Sequence, residues 1–436
     1  MRAQLKSILA LWIGLLGGAG FVFLTQLVLA RSLPLAELGM LVGVISLVTL
    51  LVPLADFGIS ALWLKLFGQG RETGMRWVWP GFHTVWISSL CMMILLLIIG
   101  YISWDAPPTR ELLWWALLIL PMEALVILAG SRLQLEGRFL QLSFWRALPK
   151  AARLLVVLVV WLCGWGVEAV IKGYFLTSVA ILIVAVWHLR PLLQGNIKLE
   201  QSGAPVSAVS GEKEPTAGAI YKAALPFAMG NFFSLIYLQS DLFMLAALGN
   251  AEAAALYSIG FTLIALTYLL PTAVFNQYLL PRYHHWAAHE PARMLAAYRL
   301  GNASMLLIGL LVMLGVIVMA PFFLVWIFGQ KFAAAALVTQ ILAVTIPVRY
   351  LASSVGNCLS TNYNMRHKMR YQMVVALLNV ALNLLLIPRY GMYGAAIATV
   401  ASEALLCLLY LYGVRKYVFG ASALRGWSLN YKAVMK

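Results

Sequence analysis

Apolar runs of about 20 residues, the length of one helical membrane crossing, recur along the whole chain. Twelve segments follow from that pattern, at about 8–30, 38–61, 81–101, 111–130, 148–164, 168–189, 223–248, 254–280, 301–320, 333–358, 371–388 and 392–413. No stretch alternates with the period of two that marks barrel strands. Open strands would leave backbone groups unpaired in hydrocarbon. The pattern therefore predicts an all-α polytopic membrane protein with twelve transmembrane helices. The first run is too long for the apolar region of a signal peptide, although Val28-Leu29-Ala30 faintly matches a cleavage site, and is read as a membrane helix. Segment 148–164 is the shortest, and Lys150 and Arg153 interrupt it.

Composition agrees. Of 436 residues, 63% are hydrophobic and 11% charged, and the mean hydropathy is +0.89. Soluble domains run nearer 45–50% apolar and about 25% charged, so a soluble enzyme, a disordered chain and a disulfide-stapled module are excluded. The net charge of +16 would raise the question of nucleic acid in a soluble protein. Placing each base answers it. The N-terminus, the C-terminus and every second loop carry 23 of the 31 Lys and Arg residues. The opposite loops carry only Arg31, Arg110, Lys331 and Arg389, and four more bases lie inside spans. That asymmetry puts both termini in the cytoplasm and assigns the charge to anionic lipid, with no nucleic-acid partner. The outer loops at 164–167, 249–253, 329–332 and 389–391 allow only tight turns. A periplasmic polymerase or ligase has no room there for its chemistry.

The longest polar stretch, Gln194 to Ala219, has the Gly, Ser, Pro, Glu and Lys content of a linker. It divides the chain into an N-terminal six-helix bundle (1–193), a cytoplasmic linker (194–220), a C-terminal six-helix bundle (221–413) and a cytoplasmic tail (414–436). The halves echo each other weakly. Pro121-Met122-Glu123 matches Pro347-Val348-Arg349, and Gly166 matches Gly391. Two halves that both start on the cytoplasmic side are parallel repeats, an arrangement in which transporters hold substrate in a central cavity between the bundles.

No Walker loop, dinucleotide fingerprint or metal-ligand spacing occurs, so no cofactor and no metal are expected and the chain is read as a non-enzyme. Cys91, Cys163, Cys358 and Cys407 are scattered packing residues, and His284, His285 and His289 fall in a cytoplasmic loop beside Trp286. The polar residues inside spans form stripes at helical spacing. One runs through Ser46, Thr49, Pro53, Asp56 and Ser60. Others hold Asn231, Ser234 and Asp241; Ser258, Thr262, Thr272 and Asn276; Thr345, Arg349, Ser353, Gly356 and Ser360; and Asn379 with Asn383. Gly14, Gly18, Phe21 and Thr25 make a small-residue face in the first span. Such stripes serve helix packing, unless they carry charge. Ionisable groups at depth cost about 2.5–3.5 kcal/mol each on insertion scales, so they face a cavity or a partner. The deep bases are Lys150, Arg153, Lys172 and Arg349, and the deep acids are Asp56, Glu123, Asp241 and Glu403, with Glu168 at a boundary. Two readings stand: internal pairing, or a wet cavity whose cations bind an anion while a carboxylate titrates.

With these residues in view the chain resembles the multidrug/oligosaccharidyl-lipid/polysaccharide exporter superfamily, and within it the Wzx-type polysaccharide flippases that serve O-antigen and lipopolysaccharide assembly. The likeness spans the whole chain. It rests on Ala30-Arg31-Ser32-Leu33, Glu37-Leu38-Gly39, Asp56-Phe57-Gly58-Ile59, Ala224-Leu225-Pro226, Ser240-Asp241, Ala255-Leu256-Tyr257-Ser258 and Leu280-Pro281-Arg282, in that order. The resemblance implies a V-shaped pair of bundles in the bacterial inner membrane. Such a protein flips undecaprenyl-pyrophosphate-linked oligosaccharide to the periplasmic leaflet, coupled to H+ or Na+ and without ATP. Polysaccharide polymerase and chain-length proteins are the implied protein partners. Arg31, Lys172, Arg349, Arg153, Asn231 and Asn276 are the candidate substrate-binding residues, and Asp241, Glu123 and Asp56 the candidates for ion coupling. The deep acids match the deep bases in number, a departure from the cationic interior that this family implies. A multidrug exporter of the same superfamily is the alternative, with net negative charge around Asp56 and Asp241. A scaffold for glycan synthesis is a third reading.

Overall fold

The computed structural model describes residues 2–197, 199, 215–279, 283, 286, 289–360 and 365–429, without the side chains of 2–11, 13 and 276–278. Among them there are helices and connecting turns and no strands. The chain divides into two compact units, Met1–Leu235 and Ile236–Lys436. Most of the predicted linker lies outside the described residues.

Unit 1 holds α1 (Arg2–Ser32), α2 (Leu35–Asp56), α3 (Ile59–Gln69), α4 (Arg71–Met75), α5 (Val78–Ser103), α6 (Pro107–Ala116), α7 (Ile119–Leu135), α8 (Phe139–Cys163), α9 (Val167–Leu193) and the first part of α10 (Ala217–Leu248). The strongly apolar α2 belongs to the most fully buried span and forms the unit's core. Leu38, Val44, Leu47, Val48 and Ala55 are buried there, against α5, α6 and α7. The small-residue face of α1 is a packing surface: a side chain at Gly14 would strike Ser143 of α8, and one at Gly18 would come 3.1 Å from Lys150 Nζ. Small residues let membrane helices approach this closely. Glu37 has a structural part as well. Its Oε2 accepts a hydrogen bond of 3.3 Å from the Val167 N–H, satisfying an open donor at the start of α9.

Unit 2 continues with α11 (Ala251–Thr267), a π-helical stretch (Thr272–Leu279), α12 (Pro291–Phe328), α13 (Ala335–Ala343), α14 (Thr345–Cys358) and α15 (Met365–Val414). Asn250 starts α11 abruptly by accepting a hydrogen bond from Ala253 N–H, which is the cap expected of Asn after a tight turn. Within α15, Gly391 has φ 56° and ψ −134°. That conformation suits glycine, and it breaks the run into two helices at the predicted outer turn.

Among the described residues, ten helical stretches are long and apolar enough to cross a membrane. Dividing α15 at Gly391 gives one more. Adding α8, which has the length but carries Arg146, Lys150 and Arg153, recovers the twelve predicted segments. The α8 helix starts at Phe139, well before the expected 148, because its bases depress the hydropathy of the early turns.

Candidate functional site

Each unit holds one cluster that joins charged side chains within its spans. In unit 1, Arg146, Lys150 and Arg153 follow one another at spacings of four and three along α8 and so share a face. Arg153 donates a 2.8 Å hydrogen bond to Glu123 Oε1 of α7, and the two side chains are 23% and 27% exposed. The Arg153 guanidinium also lies 5.7 Å from the Tyr174 ring centroid on α9, a favourable cation–π placement. Lys150 is exposed, as is Arg146, and it stands within electrostatic reach of Glu123, Arg146 and Arg153. Three bases thus share the α8 face on which Glu123 pairs with Arg153. The chain spacing offered this signal, but Arg146 fell outside the expected span and was missed.

In unit 2 the two charged groups of the midspan pair are unequally buried. Arg349 Nη1 donates to Glu403 Oε1 at 2.8 Å, with the arginine side chain 19% exposed and the glutamate 2%. Nη1 also donates to Tyr237 Oη at 2.9 Å. The guanidinium lies 5.6 and 5.3 Å from the ring centroids of Tyr237 and Tyr268, and Tyr268 in turn shares a 2.6 Å hydrogen bond with Thr345. The second carboxylate oxygen of Glu403 is buried without a hydrogen-bond partner. Glu403 was recognised as a deep acid, yet its role as the mate of Arg349 needed the tertiary fold, since 54 residues separate them.

A second network in the same unit surrounds Asp241, which is 1% exposed. Tyr257 Oη donates to its Oδ2 at 2.7 Å, Thr399 Oγ1 donates to the same oxygen, and Asn383 Nδ2 donates to Oδ1. Asn379 Oδ1 accepts from Ser240 at 2.9 Å and from Asn383 at 3.1 Å, while Asn383 Oδ1 has no hydrogen-bond partner. A carboxylate from α10 thus meets an amide N–H and two hydroxyls from α11 and both halves of α15 at one buried point. A carboxylate enclosed by such donors can take up a proton. The stripes containing Asp241 and Asn379/Asn383 were legible as stripes; that they meet was not.

The remaining candidates are dispersed. Lys172 pairs with Glu168 one turn earlier at 3.1 Å, on the exposed side of α9. Arg31 is exposed in the last turn of α1, and Asn231 is exposed on α10. Asp56 is buried at the end of α2, where Ser60 Oγ donates to it at 2.8 Å. The side chain of Asn276 lies outside the described residues, as do His284 and His285. Internal pairing and polar embedding therefore coexist: Arg153, Lys172 and Arg349 have carboxylate mates, whereas Asp56 and Asp241 are held by uncharged donors. Among the described residues there is no cluster of His, Cys, Asp and Glu suited to a metal.

Comparison with known proteins gives the fold its relatives. The sequence profile of the family described as "Polysaccharide biosynthesis protein" matches residues 28–337. Among solved structures, the lipid II flippase MurJ in an inward closed conformation aligns with TM-score 0.73 at 12% identity, covering 99% of this chain and 90% of that one. An inward-facing multidrug resistance transporter of the MATE family in the MOP superfamily aligns with TM-score 0.70 at 12% identity, covering 95% and 97%. A MOP superfamily transporter from Pyrococcus furiosus, described as having a binding pocket of reverse polarity, aligns with TM-score 0.59 at 14% identity, covering 94% and 95%. The search of curated proteins returned no match.

Proposed function

Because this chain belongs to the polysaccharide biosynthesis protein family, we propose that it flips an oligosaccharide linked to a polyprenyl pyrophosphate, of the undecaprenyl type, from the cytoplasmic to the periplasmic leaflet of a bacterial inner membrane. It works by ion-coupled alternating access with both termini in the cytoplasm. The observation that carries this reading is the α8 face, where Arg146, Lys150 and Arg153 share one side and, among the described residues, only Arg153 has a carboxylate mate, Glu123. An uncompensated cationic face inside a membrane helix is costly unless it meets water or an anion. A pyrophosphate supplies paired oxygens that suit guanidinium and ammonium donors.

Unit 2 supports the coupling half of the proposal. Arg349 presents a partly exposed edge while Glu403 holds it from behind. A proton placed on the unpartnered Glu403 oxygen would weaken that hold and release the guanidinium toward the anion. Asp241, ringed by the Tyr257, Thr399 and Asn383 donors, is the residue proposed to carry the coupling proton or sodium ion. The multidrug alternative gains no support from the two acids it relied on, since Asp56 and Asp241 are both buried.

The test is genetic and biochemical together. Deleting the gene removes a surface glycan and leaves its lipid-linked precursor facing the cytoplasm. The wild-type gene restores export, whereas Arg146→Gln/Lys150→Gln and Asp241→Asn insert normally and do not. A normal surface glycan in a deletion strain that lacks a second flippase would overturn the reading.

A further inference from the structure

The cytoplasmic end of unit 2 is basic beyond what orientation requires. In residues 291–436 the only acid is Glu403, and it lies buried against Arg349 in the membrane interior. At the start of α12, Arg293 has its own mate in Glu290 at 3.0 Å. Among the described residues, no such ion pair occurs at the start of α15 or beyond its end. Arg366, Arg370, Arg415, Lys416 and Arg425 are all exposed there, and the stretches 365–370 and 411–429 contain no carboxylate.

Part of this surface is built rather than loose. The His367 imidazole stacks on the Tyr417 ring, with centroids 4.1 Å apart and planes 16° from parallel. Lys416 Nζ donates to Tyr412 Oη at 3.3 Å and sits 5.6 and 5.4 Å from the ring centroids of Tyr412 and Tyr417. A solvated surface lysine gives up side-chain entropy when it binds. One already steadied between two aromatic rings gives up less, the general advantage of preorganisation. The chain then turns at Gly420 and leaves Leu424 and Leu429 exposed beside Arg425. Trp427 is fixed by a 3.0 Å hydrogen bond from its indole N–H to the Ala423 carbonyl. Basic tips, tyrosines at the boundary and exposed leucines are the chemistry of a segment lying in the headgroup layer.

We propose that this collar, centred on Lys416 with Arg366, His367, Tyr412 and Tyr417, is a binding site for the phosphodiester headgroup of an anionic phospholipid in the cytoplasmic leaflet. A zwitterionic headgroup brings its own ammonium against five unpaired bases and is disfavoured, whereas an anionic one complements them. The inference does not depend on which solute the protein moves.

Native mass spectrometry of the full-length protein, purified in the presence of equimolar phosphatidylglycerol and phosphatidylethanolamine, tests it. The wild type retains phosphatidylglycerol preferentially. Arg366→Gln/Lys416→Gln lowers that preference by roughly fivefold per charge removed. Arg389→Gln, on the opposite side of the membrane, leaves it unchanged. Tyr412→Leu/Tyr417→Leu keeps every charge, loses the clamp and also lowers the preference, which guards against misfolding of the charge variant. A wild type without preference, an equal fall in Arg389→Gln, or full retention in the tyrosine variant overturns the site. Displacement of the lipid by millimolar inorganic phosphate would mark a site for a free anion and overturn it as well.

Discussion

The two units handle an intramembrane ion pair in opposite ways. In unit 1 the acid follows the proline of its helix, Pro121-Met122-Glu123, and in unit 2 the base does, Pro347-Val348-Arg349. Glu123 and its mate Arg153 are exposed to nearly the same extent, and two further bases stand beside them on α8. Arg349 shows an edge, but Glu403 is wholly enclosed, and tyrosines close the remaining sides. Exposure decides what each pair is suited to. A partly exposed pair with surplus positive charge is suited, under the proposed function, to exchanging its carboxylate for an anion of the solute. An enclosed carboxylate cannot be reached by a solute, but it can gain or lose a proton and so change the grip on its arginine.

The largest expected effect that bears on this contrast comes from Glu403→Ala. It strands Arg349 beside the enclosed site, and removing one partner of a buried pair costs about 3–5 kcal/mol. Unfolding in detergent followed by circular dichroism should reveal a loss of that order. The double change Arg349→Ala/Glu403→Ala should recover a large share of it. Strictly additive losses would mean that the pair is not a unit.

Arg153→Gln should behave differently. Its pair is partly hydrated, so the stability change stays within about 1 kcal/mol, yet glycan export falls because a cation of the α8 face is gone. A variant that loses stability by several kcal/mol while any properly folded fraction still exports would place Arg153 among structural residues and erase the contrast.

The smallest effect is expected at Lys172→Gln. Its partner Glu168 lies one turn toward the N-terminus, and both side chains are well exposed, at 41% and 64%. Such i,i+4 pairs are worth about 0.3–0.5 kcal/mol, so melting and export should match the wild type. A clear export defect would extend the cationic surface beyond α8 to the outer end of α9.

Much of the architecture could be read from the chain because hydrocarbon imposes a one-dimensional rule. Each crossing needs about 20 apolar residues, so the segments, their helical nature and the break at Gly391 were legible. The rule fails locally at α8, where Arg146, Lys150 and Arg153 depress the hydropathy, so the apolar run is shorter than the helix and leaves Arg146 outside it. Glu37 illustrates the opposite case. It stands in a family signature, and the fold gives it a structural task, capping the start of α9.

Sequence alone also determined which residues would be costly: the deep bases and acids, each marked by charge in an apolar run. What it could not supply was their pairing. Arg349 with Glu403, Arg153 with Glu123, and Asp241 with Tyr257, Asn383 and Thr399 join residues 16 to 158 positions apart. Helical period fixes the face on which a side chain lies, but only the packing of one helix on another decides what that face meets. The same packing determines which pair stays partly exposed and which carboxylate is enclosed, and thereby separates a guanidinium open to an anion from an acid suited to carrying a proton.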